Sequence, residues 1–202
     1  MDRVDHWNHV YERKSPTAVS WYQPVPSRSL SYVRQLTLPT QRVIDVGGGA
    51  AMLVDGLLDA GYERPIVLDL SSAALAHVRQ RLGPRATRVE WLIADVITVS
   101  ELPPVDLWHD RAVLHFLTEP KDQAAYAAQA ARAIRPGGHA VIGSFAPDGP
   151  VRCSGLPVQR HDGETLARLF GAAFELVETD RETHLTPGGL EQRFSWSVLR
   201  RQ

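Results

Sequence analysis

An apolar run that breaks into three glycines and then resumes with helical spacing, RVIDVGGGAAMLVDGLL over residues 42–58, constrains this chain more than any other stretch. The residues before the break read as a buried strand, those after it as a helix from about Ala51 to Ala60, and the glycines as the turn between them. Glycine lets a backbone take positive φ and lets a ligand approach where a Cβ would collide, and the following helix offers unpaired N–H groups. Asp45, Gly47, Gly48 and Gly49 are therefore a candidate nucleotide or nucleoside site, with a plain strand-to-helix turn as the alternative.

The pattern recurs down the chain. PIVLD ends in Asp69, with Ser71 and Ser72 as caps of a helix from Ala73 to Leu82; RVEWLIAD ends in Asp95; PVDLWHD ends in Asp110. An alanine-rich helix from Lys121 to Ile134 leads through the turn Arg135-Pro136-Gly137-Gly138 into a strand from His139 to Phe145. A Pro/Gly-rich loop around Cys153, a helix from Asp162 to Phe170 and two strands, Phe174–Leu185 and Gln192–Arg200, joined by a Pro-Gly-Gly turn, complete the chain. These elements predict a doubly wound, seven-stranded α/β sheet, mostly parallel with an antiparallel C-terminal hairpin. In open parallel sheets ligands bind at the carboxyl ends of the strands, so Asp45, Asp69, Asp95 and Asp110 are expected at one rim. Four like charges there call for a ligand carrying positive charge and several hydroxyl or amine donors. Asp69, about twenty residues past the glycines, has the place from which an acidic side chain reaches ribose hydroxyls.

A length of 202 residues with 44% apolar content suits one domain, here a core over 40–202 preceded by a helical segment over 1–38. In that segment Trp7 and Tyr11 share a helical face, and Trp21 and Tyr22 follow a Pro break; fastening to the core and a lid over the ligand are the two readings. A net charge of −1 offers no basic surface for nucleic acid or an anionic membrane, so small molecules or proteins are the expected partners. One cysteine excludes an intrachain disulfide, and the first residues lack a leader's apolar core; a cytoplasmic protein is expected. No metal is expected, and the sequence sets no oligomeric state.

S-adenosylmethionine fits this rim, carrying a sulfonium, an ammonium, a ribose diol and an adenine amine against one carboxylate. A dinucleotide fits less well, because Met52 stands where its fingerprint wants a third glycine and because two phosphates would meet the aspartates. The glycine loop, the acidic second strand, Ala94-Asp95 at the third and the Arg-Pro-Gly-Gly turn before the fifth occur in the order of the class I S-adenosylmethionine-dependent methyltransferases, which the chain resembles over residues 40–200. The resemblance implies a Rossmann-like fold in which Asp45, Gly47 and Gly49 hold the methionine end, Asp69 with Leu70 the ribose, and Asp95-Val96 the adenine. Ala51 replaces the family's third glycine. Trp7, Tyr11 and the Ser-Trp-Tyr segment look like those of a subgroup that includes eukaryotic protein-lysine methyltransferases and small bacterial enzymes, where the aromatics and a basic residue matching Arg111 accompany the cofactor.

The expected reaction is methyl transfer to N, O or S of a small-molecule or protein side-chain acceptor. The alternatives are an NAD(P)-dependent oxidoreductase and a non-catalytic S-adenosylmethionine-binding module. A base is needed only if the nucleophile arrives protonated; His115, with Asp110 beside it, is the candidate, against a structural helix histidine. His109 is set aside because it alternates to the opposite side of its strand from Asp110. Trp21, Tyr22 and Cys153 are candidate acceptor contacts, with core packing as the alternative.

Overall fold

The computed structural model describes residues 3–13 and 15–202. Strands β1 (Val43–Val46), β2 (Ile66–Asp69), β3 (Glu90–Ile93), β4 (Val105–Arg111) and β5 (Ile134–Phe145) pair in parallel, with helices α3 (Leu53–Asp59), α4 (Ser72–Leu82) and α5 (Pro120–Ala133) in the crossovers. A two-stranded hairpin, β6 (Arg152–Cys153) and β7 (Leu156–Pro157), precedes α6 (Gly163–Phe170), and the long β8 (Phe174–Leu185) and β9 (Glu191–Arg201) pair antiparallel. The main sheet runs β3-β2-β1-β4-β5-β9-β8, the doubly wound seven-stranded order that the alternation of elements predicts. Ahead of the sheet lie α1 (Arg3–Arg13) and α2 (Ser27–Leu36). Among the described residues no helix is long and apolar enough to cross a membrane.

The period of two in each strand sorts side chains between two cores. Ile44, Val46, Leu68, Trp108 and Ile142 pack against Tyr126 and Ala130 of α5 and Leu166 and Phe170 of α6. Val43, Leu107, Val141, Phe194 and Trp196 face the other way, against Tyr32 and Val33 of α2 and Leu53 and Leu57 of α3. A strand position is therefore committed to one helical layer, and this decides where each polar side chain at the strand ends points.

Three boundaries differ from expectation. The first crossover helix begins at Leu53 rather than Ala51, because residues 47–52 are all spent on the turn. The third strand is only four residues long and half-buried, as suits an edge. Arg135-Pro-Gly-Gly does not precede β5 but bulges within it: pairing with β4 jumps from Val105–Ile134 to Leu107–His139, and Gly138 is required because a Cβ would sit 2.7 Å from the Asp106 carbonyl.

Candidate active site

A cavity opens at the carboxyl ends of β1, β2 and β4. Its floor is Gly47, whose φ of +64° and the 2.0 Å that would separate a Cβ from Val113 Cγ2 leave room for no other residue. The Gly47 N–H donates to the Leu68 carbonyl (2.6 Å), which curls the glycine turn over the end of β2. Asp69, Leu70, Asp95 and Val96 line the same cavity. Asp69 Oδ1 accepts from the Ser71 N–H at 2.7 Å, and the Gly49 and Leu70 amides add to it; burial nevertheless dominates and pushes the carboxyl up to about 6.

The roof is aromatic and comes from the N-terminal segment. Trp7 lies edge-on to Trp21 (5.7 Å between centroids) and to Phe116 (4.9 Å), and Tyr11 packs edge-on to Trp21 at 6.2 Å. The Tyr11 hydroxyl occupies the space above Gly49, where a Cβ would lie 2.5 Å from it, and burial pushes the phenol well above its ordinary range. The roof is tied down at polar points: Arg3 pairs with Asp95 (3.2 Å), the Ser71 hydroxyl donates to Asn8 Oδ1 (2.8 Å), His77 donates to the Tyr11 carbonyl, and His184 of β8 donates to the Ser20 carbonyl.

A second, smaller cavity shares Gly47, Trp21 and Arg111 with the first and is lined by Asp45, Gly48, Tyr22, Met52 and His109. Asp45 is fixed there by His109, whose Nδ1 donates to Oδ1 at 2.7 Å while Nε2 shares a hydrogen bond with the Ser29 hydroxyl at 2.9 Å. The parallel register places Asp45 directly beside His109. Both belong to the α2 side of the sheet.

Several sequence expectations need correction. The four aspartates stand at the carboxyl ends of β1 to β4 but do not share one cavity: Asp69 and Asp95 line the first and Asp45 the second, while Asp110 lines neither. Alternation turns Asp110 to the α5 side, where it accepts from the Val113 and Leu114 amides and the Tyr126 hydroxyl and so caps the turn Leu114–Phe116. His115, expected as a base, is fully buried and outside the lining of either cavity; its ring packs on Phe116 (4.4 Å) and Phe145 (4.7 Å). Desolvation, with His161 and Arg111 nearby, drives it down to about 3, which leaves it neutral at physiological pH with no route to an acceptor. Gly49 lines neither cavity and serves by admitting Tyr11, and Tyr22 faces only the second.

Trp7, Tyr11, Trp21, Arg111 and Cys153 do meet in the first cavity. The Cys153 thiol is pushed up to about 11, chiefly by burial. Arg3, Phe116 and Ala112 line the cavity without having been singled out. Arg3 had a signal, standing four residues before Trp7 on the same helical face. Ala112, a non-glycine at φ +71°, had none. Among the described residues no three His, Cys, Asp or Glu side chains converge on a metal site.

Residues 43–138, just under half of the chain, match the family model described as "Methyltransferase domain". The chain is 29% identical over 190 residues to a ubiquinone biosynthesis O-methyltransferase of Alkalilimnicola ehrlichii, covering 88% of this chain and 70% of that one. It is 25% identical over 100 residues to the eEF1A lysine and N-terminal methyltransferase of Mus musculus; that match covers 50% of this chain and spans 14% of the relative's length. Among solved structures, the N-methyltransferase NodS of Bradyrhizobium japonicum in complex with S-adenosylhomocysteine shares the fold, with a TM-score of 0.72 at 18% identity over 98% of this chain and 99% of that one.

Proposed function

We infer, from the match of residues 43–138 to a methyltransferase domain, that the protein transfers the methyl group of S-adenosylmethionine to N, O or S of an acceptor. The observation that carries this reading is the cavity with Gly47 as floor, Asp69 and Asp95 on one wall and an aromatic roof of Trp7, Tyr11 and Trp21. Buried Asp69 suits a ribose diol, since hydroxyl donors would replace the water its carboxylate lacks. Val96 and Leu70 flank Asp95 with the apolar surface an adenine ring needs. Asp45, held by His109, suits the ammonium of the methionine end, with the Gly47 turn between.

The donor, when bound, supplies a methyl carbon on a sulfonium, already an activated leaving group. The chain's task is then to align the acceptor and exclude water. The acceptor lone pair forms the new bond as the carbon–sulfur bond breaks and its electrons return to sulfur, leaving S-adenosylhomocysteine. Trp7, Tyr11, Trp21 and Phe116 close the roof over that step, and residues 1–38 act as the lid of a single domain. A small-molecule acceptor suits a roofed cavity better than a protein surface does, and the charge balance and lone cysteine suit a cytoplasmic enzyme without a nucleic-acid partner.

Calorimetric titration with S-adenosylmethionine, S-adenosylhomocysteine and NADH tests this. Micromolar binding of the first two without NADH is expected; binding of NADH alone would make the protein an oxidoreductase and overturn the reading.

A further inference from the structure

We propose that the methyl acceptor carries an anionic group, a carboxylate, phenolate or thiolate on a small molecule, and that Arg111 is its receptor. The inference rests on the methyl-transfer reading above and deepens it. Arg111 ends β4 and lines both cavities where they meet. Its Nη1 donates to the Trp21 carbonyl at 2.9 Å, whereas Nε and Nη2 are buried without a hydrogen-bond partner. Among the described residues no carboxylate stands within 4.0 Å of it. Glu182, its main electrostatic neighbour, already spends Oε1 on Gln23 and Oε2 on the Trp196 indole. A buried cation with two idle donors is costly unless something that enters the site accepts from them.

Position separates this group from the donor's wall. The guanidinium lies 4.6 Å over the Phe194 ring of β9. In the sheet order β9 is two strands from β4 on the side away from β2 and β3, which lead to Asp69 and Asp95. Cys153 is an electrostatic neighbour of the guanidinium, and Phe116 lines the same cavity. Tyr11 and Cys153 are both held protonated by burial, and His115 lies outside the lining. An acceptor that arrives ionised needs no base, and an ammonium would be repelled.

The donor's own carboxylate is a second source of the same chemistry, so the test has two arms. The wild-type protein saturated with S-adenosylhomocysteine is titrated with benzoate against benzamide and with propanoate against propanamide. At least one acid should bind tenfold or more tighter than its amide, and Arg111→Gln should bring that acid to the level of the amide. In parallel, S-adenosylhomocysteine and 5′-methylthioadenosine, which lacks the amino-acid part, are titrated into Arg111→Gln. Less than threefold change in both is expected. A tenfold loss confined to S-adenosylhomocysteine would assign the carboxylate to the donor, and an equal loss of both would make Arg111 a structural tie for Trp21; either overturns the proposal. So does a wild-type protein that binds acid and amide alike or binds neither acid, a result that needs no variant to fold. Failure of the wild type to bind S-adenosylhomocysteine would instead remove the methyl-transfer reading itself.

Discussion

Asp69 should make nucleoside binding dependent on pH in a range where ordinary carboxylates are silent. Burial lifts its carboxyl to about 6, above the unfolded value, despite the amides of Ser71, Gly49 and Leu70 that favour the charged form. In the proposed role ribose hydroxyls donate to the carboxylate, so binding requires the deprotonated state and must expel a proton once pH falls below 6. Between pH 7.5 and 5 the ionised fraction drops about tenfold, equivalent to ~1.4 kcal/mol of binding free energy. The probe is 5′-methylthioadenosine, which keeps ribose and adenine and has no amino-acid group to titrate. Calorimetry should give a dissociation constant about tenfold weaker at pH 5 than at 7.5 in the wild type. Asp69→Asn should bind more weakly at pH 7.5 by about 1–3 kcal/mol, through lost charged hydrogen bonds, and should show no pH dependence over this range. Asp110 is lifted to a similar value but points to the α5 side, so the Asn variant separates the two. A wild-type affinity that stays level, or a slope that survives in Asp69→Asn, would refute the ribose assignment.

Three further perturbations probe the rest of the site. Gly47→Ala forces a side chain to positive φ and into Val113 Cγ2, and urea unfolding should show a loss of about 1–3 kcal/mol together with loss of S-adenosylhomocysteine binding. His109→Phe strips the buried Asp45 of its partner; a destabilisation of about 3–5 kcal/mol is expected, with S-adenosylhomocysteine weakened and 5′-methylthioadenosine spared. Equal loss of both ligands would mean that Asp45 does not hold the amino-acid end. His115→Leu should change kcat less than about threefold, since the ring lies outside the cavity lining. It should also ease acid sensitivity. The native ring, held down to about 3, cannot take the proton that the unfolded chain binds below about 6.5, so stability is lost as pH falls through that value, by ~2 kcal/mol at pH 5. Denaturation curves at pH 7 and 5 that shift alike in wild type and variant would count against this account.

How much of this was legible in the chain depends on whether a signal is local or crosses the sheet. The glycine turn, the Ser71 cap and the strand-helix alternation are local: each rests on residues within one turn of one another, and each leads to the observed sheet order. The error over Asp110 arose from counting carboxylates at strand ends without assigning them to faces. Alternation alone puts Trp108 and Asp110 on one side and Leu107 and His109 on the other, as the two cores show. The same rule that set His109 aside would have brought it to Asp45, because parallel neighbours in register share a face. Ala112 carries no signal, since its left-handed φ answers to the amide it donates to Gly143 on the next strand.

Arg111 marks the deeper limit. Its place after the fourth strand is readable, and the resemblance set it beside the cofactor, but the direction of its guanidinium is decided by Phe194, near the far end of the chain. That contact exists only because β9 inserts antiparallel between β5 and β8. A charge's position along a strand is thus encoded locally, whereas the half of the cleft it serves is encoded by how the last hairpin closes the sheet. Under the proposal made for Arg111, that closure is what separates a residue facing the donor from one facing the acceptor.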